Sequence, residues 1–214
     1  MKYISKLVIV SLLFVSSSLF AQDAGIDNRE KMKFTVKGGF NYSNIYNTKT
    51  EELTSDAKLG FAGGIALNIP LGKFLGFQPE AMISQKGFKG EGVLLGSRYN
   101  FTRTSTYVDF PLQIAIKPSE YFTLVAGPMY SYLINQKDVY SNTAFSFIQE
   151  QEINKVQIRK NVLGFVGGID ININHLTIGA RVAYDLVDNH NDGSSNVPQY
   201  RNLVYQATVG YRLY

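Results

Sequence analysis

The sequence has no cysteine. Disulfides, zinc–thiolate centres and a lipid-modified anchor cysteine are therefore excluded. It has few charges, 18% against about 25% in an average soluble domain. Those charges are scattered, and the net charge of +4 falls to +2 once Lys2 and Lys6 are set aside, so no basic stripe exists for nucleic acid. Long apolar runs are also lacking beyond the first 20 residues, which rules out a bundle of membrane helices for the rest. Tryptophan is absent, and histidine occurs only twice, which leaves few imidazole ligands for a metal centre.

The one long apolar run lies at the start. Lys2 and Lys6 precede Leu7–Phe20, and Ala21 supplies a small residue before a cut that would leave Gln22 as the first mature residue. Residues 1–21 are thus expected to be a cleaved secretory signal peptide. Leu19 is larger than the ideal residue three places before a cut. The competing assignment, an uncleaved anchor helix, suffers from a run too short to span comfortably. Residues 22–32 are polar and are expected to form a short, loose N-terminal segment, with one domain over 33–214.

What fills that domain is alternation. Mean hydropathy is close to neutral at −0.07, as expected of strands that alternate apolar and polar residues. Eight segments carry a strand pattern: 33–46, 57–70, 74–89, 101–117, 121–136, 156–171, 174–188 and 200–214. Each exceeds the roughly 9–11 residues that a tilted strand needs to cross a bilayer. Tight turns fall at Pro70–Lys73, Pro118–Glu120 and Asn172–Asn174, whereas longer polar links span 47–56, 90–100, 137–155 and 189–199. Short and long links alternate, as in barrels with short periplasmic turns and long outside loops. An even strand count then puts both termini on the periplasmic side.

The strand faces agree. Leu59, Phe61, Ile65, Leu67 and Ile69 oppose Gly60, Ala62, Gly64, Ala66 and Asn68; Val108, Phe110, Leu112, Ile114 and Ile116 oppose Arg103, Tyr107, Asp109 and Gln113. Leu176, Ile178, Val182, Tyr184 and Leu186 oppose Thr177, Gly179, Arg181 and Asp185, and Tyr205, Val209, Tyr211 and Leu213 oppose Gln206, Thr208, Gly210 and Arg212. An open sheet cannot sit in lipid with unpaired edges. The expected fold is all-β, an eight-stranded antiparallel up-and-down transmembrane β-barrel in the outer membrane. The inward glycines Gly60, Gly64, Gly179 and Gly210 suit either a narrow interior or ordinary bends.

Four segments, taken in order, resemble the PorT-like outer-membrane β-barrel family of Bacteroidetes: Phe77–Gly87 (FQPEAMISQKG), Tyr107–Leu112 (YVDFPL), Ala126–Tyr130 (AGPMY) and Gly164–Asp170 (GFVGGID) with Arg181–Tyr184 after it. The resemblance covers the whole expected domain. It implies a Gram-negative outer-membrane barrel. One branch of that family is associated with a protein-secretion machinery, and the matched motifs do not point to that branch. Tyr214 departs from the common pattern, because alternation turns Tyr211 and Leu213 outward and leaves the last residue a step off register.

No catalytic constellation emerges. His175 sits at a tight turn and His190 in a long loop with Ser194 and Ser195, where nothing fixes a nucleophile beside a base. Asp185, Asp188, His190 and Asp192 form the nearest approach to a metal cluster and suit a solvated loop rim better. Gly60–Gly64 lies within a strand, so it cannot cradle phosphate at a helix start. No enzyme activity, cofactor or metal is expected.

The charged residues with inward parity are Lys37, Glu80, Arg103, Asp109, Arg181, Asp185 and Arg212. In an eight-stranded barrel, side chains just fill the lumen, so these should form either a buried ion-pair plug or a narrow polar conduit. The expected role is structural or interactive, through the outside loops. A part in a secretion machinery, a small porin or a soluble lipid-carrying barrel stand as alternatives. Expected partners are outer-membrane lipid and envelope or secretion-system proteins.

Overall fold

The computed structural model describes residues 28–46, 55–94, 97–141, 146–150, 159–188 and 200–213. The expected leader and residues 22–27 lie outside this set. A short 3-10 turn at Asn28–Glu30 precedes nine strands: β1 (Lys33–Tyr46), β2 (Ser55–Pro70), β3 (Leu75–Leu94), β4 (Ser97–Ile116), β5 (Phe122–Ser141), β6 (Ser146–Glu150), β7 (Asn161–Ile173), β8 (Leu176–Asp185) and β9 (Arg201–Leu213). All pairings are antiparallel, and β1 pairs with both β2 and β9. Because β5 also pairs with β4 on one side and with β7 on the other, the sheet closes on itself. Eight strands form the barrel wall. The ninth, β6, pairs with the far end of β5, its one partner among the described residues.

Closure follows from the faces. Apolar side chains such as Phe40, Leu59, Ile114, Ile178 and Val209 stay exposed on the outside, while polar ones are buried within. A wall of this kind can face only lipid, where closure satisfies every strand edge. Tyr42, Tyr130, Tyr132, Tyr184 and Tyr205 collect toward the loop end of that outer face, the place of an interfacial aromatic girdle.

The turns at one end are short. Leu71–Phe74 links β2 to β3, Lys117–Tyr121 links β4 to β5, and Asn174–His175 links β7 to β8. Asn174 takes φ 49°, a left-handed conformation that asparagine tolerates better than most residues.

Two expected loops are corrected. The polar link 90–100 is not a loop, because β3 runs on to Leu94 and β4 begins at Ser97, with Leu94 paired to Ser97. The link 137–155 likewise holds the end of β5 and the whole of β6. Strict alternation of link length therefore fails. These polar stretches are strands all the same, because a strand that stands outside lipid has no need of an apolar face. β7 begins at Asn161 rather than 156, and the link 189–199 lies outside the described residues.

Candidate functional site: the charged lumen and the loop-end extension

The lumen is built from alternate residues of all eight wall strands, and its filling changes from one end to the other. Near the turn end, Lys37 Nζ lies 2.5 Å from Glu80 Oε2, and Arg181 reaches Glu80 at 3.7 Å and Asp170 Oδ2 at 2.7 Å. Gln78 donates to Glu80 Oε1 at 3.0 Å. Two cations and two carboxylates thus share one buried set, with an amide completing the acceptors, which is the arrangement that offsets desolvation.

Missing side chains make room for this set. Gly64 on β2 lies between Lys37 and Met82 in register. A Cβ there would fall 2.1 Å from the Ala81 carbonyl oxygen. Lys37 therefore reaches over β2 to a strand that is not its neighbour. Farther up, Asn41 crosses the same strand to donate to Ser84 Oγ at 2.9 Å, and Ser43 donates to the Gly87 carbonyl at 2.8 Å. Gly179 does similar work on β8, where a Cβ would stand 2.7 Å from both Asp170 Oδ1 and Thr208 Oγ1.

Midway, Lys86 donates to Asp109 Oδ1 at 3.0 Å and to Ser131 Oγ at 3.1 Å, with its ammonium 4.7 Å from the centre of the Tyr107 ring. Apolar layers flank this pair: Met129, Val166, Ala183 and Val204 in one, Tyr107, Leu133 and Val162 in the other. At the loop end, Arg103 makes a two-pronged contact with Asp138, at 2.8 and 2.7 Å. The guanidinium lies near the rings of Phe88 and Tyr200, and those two rings pack edge to face, 5.1 Å apart. Ile45, Phe88 and Tyr200 form an apolar cap across this end. Internal cavities of about 40 and 20 Å³ remain, the first lined by Lys37 and Asp170, the second by Glu80 and Arg181, so the ion-pair set stands between them.

The structure places all seven inward-parity charges in the lumen, but not in one cluster. Lys37, Glu80 and Arg181 meet. Asp109 and Arg103 each form a separate pair higher up. Asp185 instead accepts from Asn202, from its main-chain N at 3.2 Å and its side-chain amide at 2.6 Å. Arg212 donates to the Asn174 carbonyl at the turn end. Three partners were missed. Lys86 and Asp170 share inward parity with Glu80 and Val166, and counting in twos would have found them. Asp138 was hidden by a bulge: Tyr107 pairs with Leu133 but Thr106 pairs with Asn135, so Ile134 is extra and inward parity shifts from odd to even.

The expected loop rim also resolves differently. Asp185 is buried within β8, and Asp188 pairs with Arg201 at 2.7 Å. His190, Asp192, Ser194 and Ser195 lie outside the described residues. His175 stacks on Tyr211, with ring centres 5.4 Å apart, and its Nδ1 lies 3.0 Å from the Arg212 carbonyl oxygen. Among the described residues, no group of three or more His, Asp or Glu could hold a metal ion.

Among the described residues, the wall continues beyond the tyrosine belt along β3, β4 and β5. β3, β4 and β5 each run 20 residues, about 66 Å of chain at 3.3 Å per residue and about twice what a crossing needs. Their far ends form a continuous sheet with β6.

The family model described as outer membrane protein beta-barrel domain matches residues 20–191. No curated protein matches the chain. Solved structures that are similar include Ail, the attachment invasion locus protein of Yersinia pestis, solved with the heparin analogue sucrose octasulfate. It is 14% identical, with a TM-score of 0.47, covering 86% of this chain and 99% of that one. OprG of Pseudomonas aeruginosa is 13% identical, with a TM-score of 0.42 and coverage of 89% and 100%. A major outer membrane protein of Thermus thermophilus is 14% identical, with a TM-score of 0.43 and coverage of 85% and 99%. Likenesses at this level carry no argument about activity.

Proposed function

The chain belongs to the outer membrane protein β-barrel domain family and resides in the outer membrane, and on that premise we propose that it works by contact rather than by conduction. In this reading the barrel is a filled anchor. The extension of β3, β4, β5 and β6 is a rigid platform presented outside the cell, and both described ends of the chain face the periplasm. The observation that carries the reading is the extension of β3, β4 and β5, each 20 residues long. Three strands continue about ten residues past what lipid requires, paired throughout, where a protein that needed only to span would turn back.

The filled lumen supports the same reading. Three successive charge sets and an aromatic cap stand where a conduit would need continuous water, and the cavities of about 40 and 20 Å³ beside the ion-pair set are of a size for one to a few waters each. The resemblance to PorT-like barrels makes a subunit of a secretion machinery one candidate for the platform's partner.

Photo-crosslinking on intact cells tests the proposal. A photoreactive residue at Lys89 or Ser141, both exposed on the extension, should give discrete protein adducts. The same residue at Ile114, on the lipid face, should give none. Absence of adducts from the whole extension would contradict a contact role, and an adduct to a secretion subunit would identify the partner.

A further inference from the structure

We propose that the outer wall across β1, β9, β8 and β7 carries a groove that holds one acyl chain of a glycerophospholipid from the leaflet at the loop end. The outside of a membrane barrel is an apolar band. Here that band is hollowed by a groove of about 490 Å³. Its floor is made of small residues. Ala207 on β9 and Ala180 on β8 are register partners, and Gly167 on β7 lies opposite Val182. Larger apolar side chains stand at its two ends, Phe40 and Leu59 on β1 and β2, Val182 and Ile169 on β8 and β7. Phe40 is 68% exposed beside Ala207. From β1 to β7 the groove crosses three strand intervals, about 14 Å at about 4.8 Å each.

The hollow is not a by-product of packing. At Gly168, which faces inward, a Cβ would fall 2.0 Å from the Ala180 carbonyl oxygen, so the wall needs a glycine there. At Gly167 a Cβ would meet nothing closer than 3.7 Å. The missing side chain at 167 serves only to keep the outer face open. The environment then selects the occupant. This face lies in hydrocarbon, where water is excluded, so an apolar chain fills the groove. Charge narrows the choice further. Arg181 is the charged residue of the described lining, and its guanidinium turns into the lumen toward Asp170 and Glu80. The groove therefore offers no cation to a phosphate, and its ligand is recognised by its chain and by neutral acceptors.

A second observation fixes the direction in which the chain lies. Tyr42 and Tyr205 are register partners on the loop-end side of the groove, within the tyrosine belt. Neither hydroxyl bonds to another described residue. Tyrosine at this depth keeps its ring in hydrocarbon and its hydroxyl among lipid head groups. Two adjacent hydroxyl donors at the head of an apolar groove match the ester carbonyls that join acyl chains to glycerol. The lipid head rests on the belt, and the chain runs from there over Ala207 and Ala180. Lipid already surrounds the wall, so the site gains nothing from the hydrophobic effect. Its preference for one held chain comes from close contact with a concave surface and from these two donors.

Native mass spectrometry of the refolded barrel in mild detergent, titrated with dimyristoyl phosphatidylethanolamine, tests the groove. The expected result is one lipid retained per chain at activation energies that strip all others. Gly167→Leu and Ala180→Leu each put a side chain into the groove and should abolish that retention. Tyr42→Phe combined with Tyr205→Phe leaves the groove open and should weaken retention by about fivefold or more. Val108→Leu, on the outer face of β4 across the barrel, should leave it unchanged. Each variant is first checked for its folded, heat-modifiable gel band. Three results overturn the proposal: no lipid retained by the wild type, equal retention in the wild type, Gly167→Leu and Ala180→Leu, or a dimer that carries no lipid, which would assign the groove to a second copy of the chain.

Discussion

Lys37 on β1 and Glu80 on β3 touch at 2.5 Å across a strand that separates them in the sheet. The contact exists because β2 presents Gly60, Ala62, Gly64 and Ala66 to the lumen. One thin strand lets its two neighbours meet, and the barrel is pinned from within as well as through its ladders.

Removing one side of that contact should therefore be costly. Glu80→Ala leaves Lys37 without its carboxylate and Arg181 with one acid in place of two, and should destabilise the barrel by about 3–5 kcal/mol. Ile114→Val, on the lipid face, should lose about 1 kcal/mol. Urea-induced unfolding in detergent, followed by the heat-modifiable gel band, measures both. The double variant Lys37→Met with Glu80→Leu should lose less than the sum of its single changes, a sign of direct coupling.

The thinness of β2 is itself open to test. Gly64→Ala would place a methyl group 2.1 Å from the Ala81 carbonyl oxygen, whereas Gly63→Ala, on the outer face of the same strand, meets nothing closer than 3.7 Å. The first change should slow or prevent refolding, and the second should be tolerated. Equal behaviour of the two would mean that β1 and β3 do not approach each other in this way.

The aromatic cap depends on Arg103 being held. Asp138 is fully buried, so Asp138→Ala leaves an uncompensated cation among rings and should lose about 3–5 kcal/mol. Protease digestion of the folded protein should then reach the chain near Tyr200 faster than in the wild type, because the cap no longer closes the loop end.

Shortening the extension should leave the barrel intact. Lys89 pairs with Thr102, so an Asn-Gly turn in place of residues 90–101 can close the hairpin there. The shortened protein should refold and insert, losing only the packing of Phe101 on Phe88 and Tyr140. Failure to insert would show that the removed residues lie within the bilayer.

Much of the wall was legible in the sequence, because lipid outside and polar filling inside impose a period of two on every strand. The outward sets at Leu59–Ile69, Val108–Ile116 and Leu176–Leu186 follow that period without a break. Two features escaped for physical reasons. The extension of β3, β4 and β5 leaves the membrane, so its residues lose the apolar half of the pattern and look like a polar loop. The bulge at Ile134–Asn135 reverses parity, and no composition signal marks it, so Asp138 and its hold on Arg103 were invisible. The meeting of Lys37 with Glu80 is a third case. The small residues of β2 were apparent, but their consequence, contact between non-adjacent strands, depends on how tightly the sheet coils.

The central claim is that the lumen is closed by its own side chains and that function resides at the surface. Single-channel recording of the purified wild-type protein in planar lipid bilayers tests it most directly. The account predicts no steady conductance steps in wild type, with openings only when the ion-pair set is broken, as in Glu80→Ala. Large, long-lived conductance in the wild type would contradict it and make the protein a pore.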